Sequence, residues 1–145
     1  MNFDFSDDQN ALRDGVRKFL TQESPVSAAR HAIDTGGTHA EAAWQGLAGL
    51  GVTALMLPEE CGGIGLGALE LCVVAEEVGR QLGALPLAST LYLAGQARLL
   101  GASAAQQQRW LPRIAHGEIA TLAAPLDGEL ANATLPRFDG QALHG

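Results

Sequence analysis

Residues 86–97 carry no charged side chain, and the first charge after Pro86 is Arg98. A helix without a charged face has no side suited to water, so other helices should pack around it. Pro86 suits the first turn of that helix, where its missing N–H would have no intrahelical partner, and Gly101 can end it after Leu100. The chain is therefore expected to fold as a helical bundle with residues 86–100 at its centre.

Capping boxes and glycine stops supply the surrounding helices. Ser6-x-x-Gln9 precedes Leu12, Val16, Phe19 and Leu20, whose spacing predicts a first helix over residues 7–21. Its apolar stripe is narrow, which places it at the periphery with Arg13, Arg17 and Lys18 in solvent. After Ser24-Pro25 an Ala-rich stretch reads as a weak helix through Ile33, stopped by Gly36-Gly37. Thr38-x-x-Glu41 is a second capping box, opening a helix that buries Ala43, Trp44, Leu47 and Leu50 and ends at Gly51. The apolar run 52–57 closes at Pro58, and a loop follows. From Gly67 the pattern is helical again, with Leu71, Val74, Ala75, Val78 and Leu82 on the buried face, Glu70, Glu77 and Gln81 opposite, and Gly83 as the stop. Glu76 stands four residues before Arg80, the favourable order for a surface ion pair. Ser103-x-x-Gln106 is a third capping box, starting a helix with Trp110, Leu111, Ile114 and Ala115 in which Pro112 should kink the axis.

Beyond His116-Gly117 the punctuation turns β-like, with a short apolar run over 119–124 and then Pro125, Gly128, Pro136, Gly140 and Gly145. Two or three short β segments cannot close a sheet, and bare strand edges invite aggregation. The expected fold class is thus mainly α, an N-terminal helical domain over 1–117 followed by an incomplete β segment, the first strands of a truncated middle domain, over 118–145. With 145 residues, 47% of them apolar, the chain can build one core. Nine basic against sixteen acidic residues give 9 − 16 = −7, a charge that repels phosphate backbones and anionic lipids and argues against nucleic-acid binding. Apolar runs such as 69–75 fall far short of the ~20 residues of a membrane span, and Met1-Asn2-Phe3-Asp4 lacks the features of a signal peptide, so a cytoplasmic protein is expected. Cys61 and Cys72 lie eleven apart without a nearby His and read as buried, reduced thiols.

Few residues here point to chemistry by themselves. Gly63-x-Gly65-x-x-Ala68 superficially fits a dinucleotide-binding turn, but Pro58-Glu59-Glu60 separates it from the apolar run, its carboxylates would repel a pyrophosphate, and no acid lies ~20 residues on to meet a ribose. The glycines read first as aids to a tight turn and close helix packing, with a ligand-touching loop as the alternative. Glu76 and Glu77 diverge by ~100° on a helix and cannot act as an acid–base pair. His31, His39, His116 and His144 show neither metal-ligand nor triad spacing, and no serine sits in a nucleophile elbow. From the residues alone, a helical bundle feeds a β domain and no catalytic residue can be named.

Five segments, taken together, resemble the acyl-CoA dehydrogenase family. They are Trp44-x-x-Leu47-x-x-Leu50-Gly51, then Leu57-Pro58-Glu59-Glu60-Cys61-Gly62-Gly63-Ile64-Gly65-Leu66, then Ala75-Glu76-Glu77-Val78-Gly79-Arg80, then Gln108-Arg109-Trp110-Leu111-Pro112-Arg113-Ile114-Ala115-x-Gly117-Glu118, and Asp139-Gly140-x-Ala142-Leu143-x-Gly145. Their order and spacing cover nearly the whole chain as the family's N-terminal helical domain and first middle-domain strands.

The resemblance implies FAD held between helical and β domains and oxidation of an acyl-CoA thioester to the trans-2-enoyl-CoA. A carboxylate takes the α-proton, the β-hydrogen leaves as hydride to the flavin, and fixed dipoles stabilise the enolate-like charge. It implies an electron-transfer flavoprotein as acceptor and a homo- or hetero-oligomer, and it places the catalytic carboxylate beyond Gly145, so this chain alone is expected to be inactive. The family's flavin strand carries hydroxyls where this chain has Leu122, Ala123 and Ala124, which leaves backbone groups there as the cofactor contacts. Pro86, Leu87 and Thr90 would line the distal acyl pocket, with simple bundle packing as the alternative. Two other readings stand beside an FAD-dependent dehydrogenase: a flavin-poor partner subunit of a heteromeric enzyme, and a non-catalytic helical interaction module.

Overall fold

A computed structural model describes residues 4–123 and 137–144. Among them the chain is mainly helical, as expected. It forms α1 (Asp7–Glu23), α2 (Val26–Asp34), α3 (Glu41–Gly49), α4 (Ala68–Arg80), a π-helical segment (Ala88–Gly95) running directly into α5 (Gln96–Gly101), and α6 (Ala104–Ala115). Short 3-10 turns at Val52–Ala54 and Glu59–Cys61 link α3 to α4. Residues 119–123 form no strand, and β structure is confined among the described residues to β1 (Arg137–Phe138) and β2 (Leu143–His144), antiparallel with Arg137 opposite His144.

One core joins the helices. Val16 and Leu20 of α1, Trp44 and Leu47 of α3, Leu71 and Val74 of α4, Leu91 of the π segment and Leu111 and Ile114 of α6 belong to a single buried cluster. Each such side chain contributes on the order of 1.5–3 kcal/mol by leaving water. Gly46 sits inside α3 because a Cβ there would strike the Phe19 ring, so the glycine's helix-weakening cost admits α1 to the core.

Several local expectations are corrected by tertiary contacts. The capping boxes at Ser6–Gln9 and Ser103–Gln106 form, but that at Thr38 does not. The N-cap is Ala40, immediately before Glu41, and its N–H donates to the carbonyl of Ala84 at 2.8 Å, while Thr38 turns to His39. Leu50 is 54% exposed because it is already the C-cap, where the helical face no longer points inward. Leu82 is 66% exposed and adopts φ +49°. Its N–H donates to Gly79 O and that of Gly83 to Val78 O, a Schellman closure in which leucine, one residue ahead of Gly83, takes the left-handed position. Cys61 is buried, but Cys72 is exposed on α4.

The uncharged helix is not wrapped on all sides. Thr90, Leu91, Ala94 and Gly95 are buried, whereas Leu93 and Leu100 are exposed. Lack of charge does not require burial, since much of any protein surface is apolar. Pro86 lies just ahead of the helix, with its carbonyl accepting from the N–H of Thr90. Pro112 lies within α6 without ending it.

Glu77 departs furthest from expectation. It is 0% exposed, and Arg17 donates to both of its carboxylate oxygens at 2.8 and 2.7 Å, tying α1 to α4. Arg80 approaches Glu77 at 3.7 Å and so pairs with it rather than with Glu76. The Arg17 hydrogen bonds hold the Glu77 carboxyl below its usual range despite burial.

Candidate functional site

Of the helix residues expected to serve function, Thr90 reaches the segment 117–123 that follows α6. Three side chains from three parts of the bundle hold that corner. Thr53 Oγ1 donates to the carbonyl of Ala115 at 2.6 Å, and Trp44 Nε1 donates to that of Gly117 at 2.7 Å. The Ala115 carbonyl belongs to the last turn of α6, where helix geometry leaves acceptors without intrahelical donors, and that of Gly117 lies just past the C-cap His116. Gly117 turns the chain at φ +88°, and a Cβ there would come within 2.8 Å of Ala48 Cβ, so both backbone and space favour glycine. Thr90 Oγ1 then donates to the carbonyl of Ala120 at 3.2 Å and accepts from its N–H at 3.3 Å.

Leu122 and Ala123 are exposed, and Ala124 lies outside the described residues. Among the described residues, the backbone groups of Thr121, Leu122 and Ala123 have no protein hydrogen-bond partner. Leu122 lines a cavity of about 360 Å³ with Ala94, Ala97, Arg98, Gly101 and Thr121. A second cavity, of about 200 Å³, lies between Arg98, Trp110, Arg113, Glu118 and Thr121. Arg98, Arg109 and Arg113 lie 5.0, 5.0 and 4.5 Å from the Trp110 ring, and Arg113 pairs with Glu118. This basic cluster in an acidic chain went unread because its members are split between α5 and α6.

The helix residues expected near an acyl tail sit differently from one another. Thr90 is fully buried with its hydroxyl committed to Ala120, Leu87 belongs to the core, and Pro86 is half-buried. Of the three, only Thr90 is hydrogen-bonded to the segment leading to Leu122.

The glycine loop is built to fold on itself. Gly62 and Gly65 have φ of +78° and +72°, and a Cβ on Gly63 would collide with the Leu57 backbone. The N–H groups of Gly63, Ile64, Gly65 and Leu66 donate to carbonyls of Pro58, Ala54, Leu57 and Leu55. A phosphate cradle needs those N–H groups free, and a dinucleotide turn needs a preceding strand where this chain has a 3-10 turn. The turn reading of the glycines is the one the structure supports.

Titratable groups with altered ionisation lie elsewhere and have structural partners. Burial pushes the Tyr92 hydroxyl up to about 12 while it donates to Leu71 O at 2.9 Å. The N–H groups of Ala142 and Gln141, together with His144, hold Asp139 down at about 2. Among the described residues, the corner at 115–123 thus presents backbone and apolar surface beside the Arg98, Arg113 and Glu118 side chains.

The helical bundle thus leads through α6 into residues 121–123, whose backbone groups have no hydrogen-bond partner among the described residues. The "Acyl-CoA dehydrogenase, N-terminal domain" family model matches residues 6–118, and the chain belongs to that family. Acyl-CoA dehydrogenase FadE28 of Mycobacterium tuberculosis (strain ATCC 25618 / H37Rv) is 34% identical over 146 residues, covering 100% of this chain and 38% of that protein. In the crystal structure of the ChsE4-ChsE5 complex from Mycobacterium tuberculosis, a chain 26% identical superposes with TM-score 0.81 over 99% of this chain and 39% of its own length. A chain of the Tcur3481-Tcur3483 steroid ACAD is 34% identical with TM-score 0.68, over 76% of this chain and 30% of that one. The chain thus spans well under half the length of these relatives.

Proposed function

We propose that this chain forms one wall of the acyl and flavin site of an FAD-dependent acyl-CoA dehydrogenase. The observation that carries this reading is the backbone of residues 121–123, without hydrogen-bond partners among the described residues, placed beside a cavity and anchored at Ala120 by a buried threonine. Those N–H and C=O groups fit a flavin's polar edge, whose recognition needs donors and acceptors rather than particular side chains. Leu122, Ala123 and Ala124 are the proposed cofactor contacts, made through backbone. Pro86, Leu87 and Thr90 border the acyl tail, with the hydroxyl of Thr90 turned away to the backbone. When bound, FAD would take up the β-hydrogen of the thioester as hydride. The residues of this chain orient and exclude water; none of them is assigned the proton transfer.

The same proposal divides the chain into a helical domain over 1–117 and a β segment over 118–145, which the extent of the family match supports. Acyl-CoA is the proposed substrate, with an electron-transfer flavoprotein as acceptor and the cytoplasm as compartment. The likeness to a chain of a steroid ACAD favours a bulky acyl group.

A second reading is a flavin-poor partner subunit in a heteromeric dehydrogenase. Two features favour it: residues 122–124 offer no hydroxyl, and the likeness that extends over 99% of the chain is to a component of a complex of two differently named polypeptides. The flavin content of the native assembly holding this chain decides between them. One FAD per copy identifies a self-sufficient flavin subunit. A lower ratio, with a second dehydrogenase chain present, identifies the partner subunit. Absence of both flavin and acyl-CoA binding would leave only the interaction module.

A further inference from the structure

The three contacts at the exit of α6 are unequal. Thr53 satisfies the carbonyl of Ala115, an acceptor that any helix end must place somewhere, and Trp44 that of Gly117, two residues past the helix, each with a single bond. Thr90 instead grips both backbone groups of one residue, using one hydroxyl as donor to the Ala120 carbonyl and as acceptor for its N–H. The grip comes from a π-helical segment, a geometry rare in proteins and frequent at functional sites. A Cβ on Gly95 would stand 3.2 Å from the Thr90 carbonyl, so glycine there lets this wide turn close tightly. Thr90 is thus buried, fixed from behind and aimed at a single residue, two positions before Leu122.

We propose that Thr90 is a positioning residue: its double hydrogen bond to Ala120 sets the placement of residues 121–123 and so the geometry in which their backbone groups meet the flavin. This rests on the flavin reading above. A purely structural threonine would stabilise the bundle without affecting how the cofactor is held.

The test compares wild type, Thr90→Val and Thr90→Ser in the native assembly, following amide hydrogen exchange at 118–123, FAD affinity and the visible circular dichroism of the flavin. Valine keeps the shape and loses both bonds, while serine keeps the hydroxyl. Thr90→Val should speed exchange at Ala120 roughly tenfold and weaken FAD by about tenfold with an altered dichroic band, and Thr90→Ser should restore all three. Unchanged exchange at Ala120 would overturn the grip. Faster exchange with unaltered FAD affinity and spectrum would overturn the positioning role while the flavin reading stood. A wild-type assembly without FAD would remove the flavin reading and the purpose assigned to Thr90, with the exchange data still deciding the grip. A loss of fold in Thr90→Val would appear as fast exchange throughout α1 and α4; in that case Thr90→Ala decides by the same readouts, with unchanged FAD affinity and spectrum overturning the role.

Discussion

Glu77 shows what one residue can decide in this chain. Its position about 100° from Val78 on a helical wheel sets it on the polar flank, yet it is fully buried, and Arg17, 60 positions earlier, crosses from α1 to it with two hydrogen bonds. Local spacing cannot reveal a partner so distant in sequence. Removing one member of such a pair leaves a buried group uncompensated, a loss of 3–5 kcal/mol in a dry site. Arg17 is 41% exposed, so the loss expected for Glu77→Gln is about 2 kcal/mol. The carboxyl is depressed in the folded protein, so its stabilisation is complete above the ordinary carboxylate range and drains away as pH falls through the lowered value. Chemical denaturation at a series of pH values should show a shallower acid limb for Glu77→Gln than for wild type. An unchanged limb would mean that the pair does not govern acid stability.

At the level of elements, strong local signals were legible and tertiary substitutions were not. Ser6 and Ser103 formed their capping boxes because nothing else competed for the same donors. At Thr38 the N–H of Ala40 found Ala84 instead, a partner invisible to a four-residue pattern. The helix after Pro86 was readable as a helix, but its π register was not, since that depends on packing of Thr90 and Gly95 within the bundle. The site followed the same division. The backbone segment at 122–124 could be pointed to by resemblance, whereas the roles of Trp44, Thr53 and Thr90 depend on contacts spanning 73, 62 and 30 positions. The close of α4 offers an elemental test. Leu82 holds a left-handed conformation, a cost of ~1–2 kcal/mol that glycine avoids at the expense of greater unfolded-state freedom. Leu82→Gly is expected to raise stability by about 0.5–1 kcal/mol, read as a higher denaturation midpoint at unchanged slope. A lowered midpoint would show that the side chain contributes packing that outweighs the strain.

For the whole molecule, the bundle acts as a rigid mount for a short segment. α1, α3, α4 and α6 share one core, and its buried donors fix the route by which the chain leaves α6. No helix among the described residues is long and apolar enough to cross a membrane. Membership of the acyl-CoA dehydrogenase N-terminal domain family supports the proposed role in acyl-CoA oxidation, in which a flavin would meet the backbone of residues 121–123. In the proposed function electrons would reach the flavin from an acyl-CoA bound beside it, a transfer with a direct optical readout. The decisive measurement is anaerobic addition of acyl-CoA to the native assembly containing this chain while the visible flavin band is followed. The account predicts bleaching of that band as the flavin is reduced. A flavin band that acyl-CoA leaves untouched, or an assembly that holds no flavin, would contradict it.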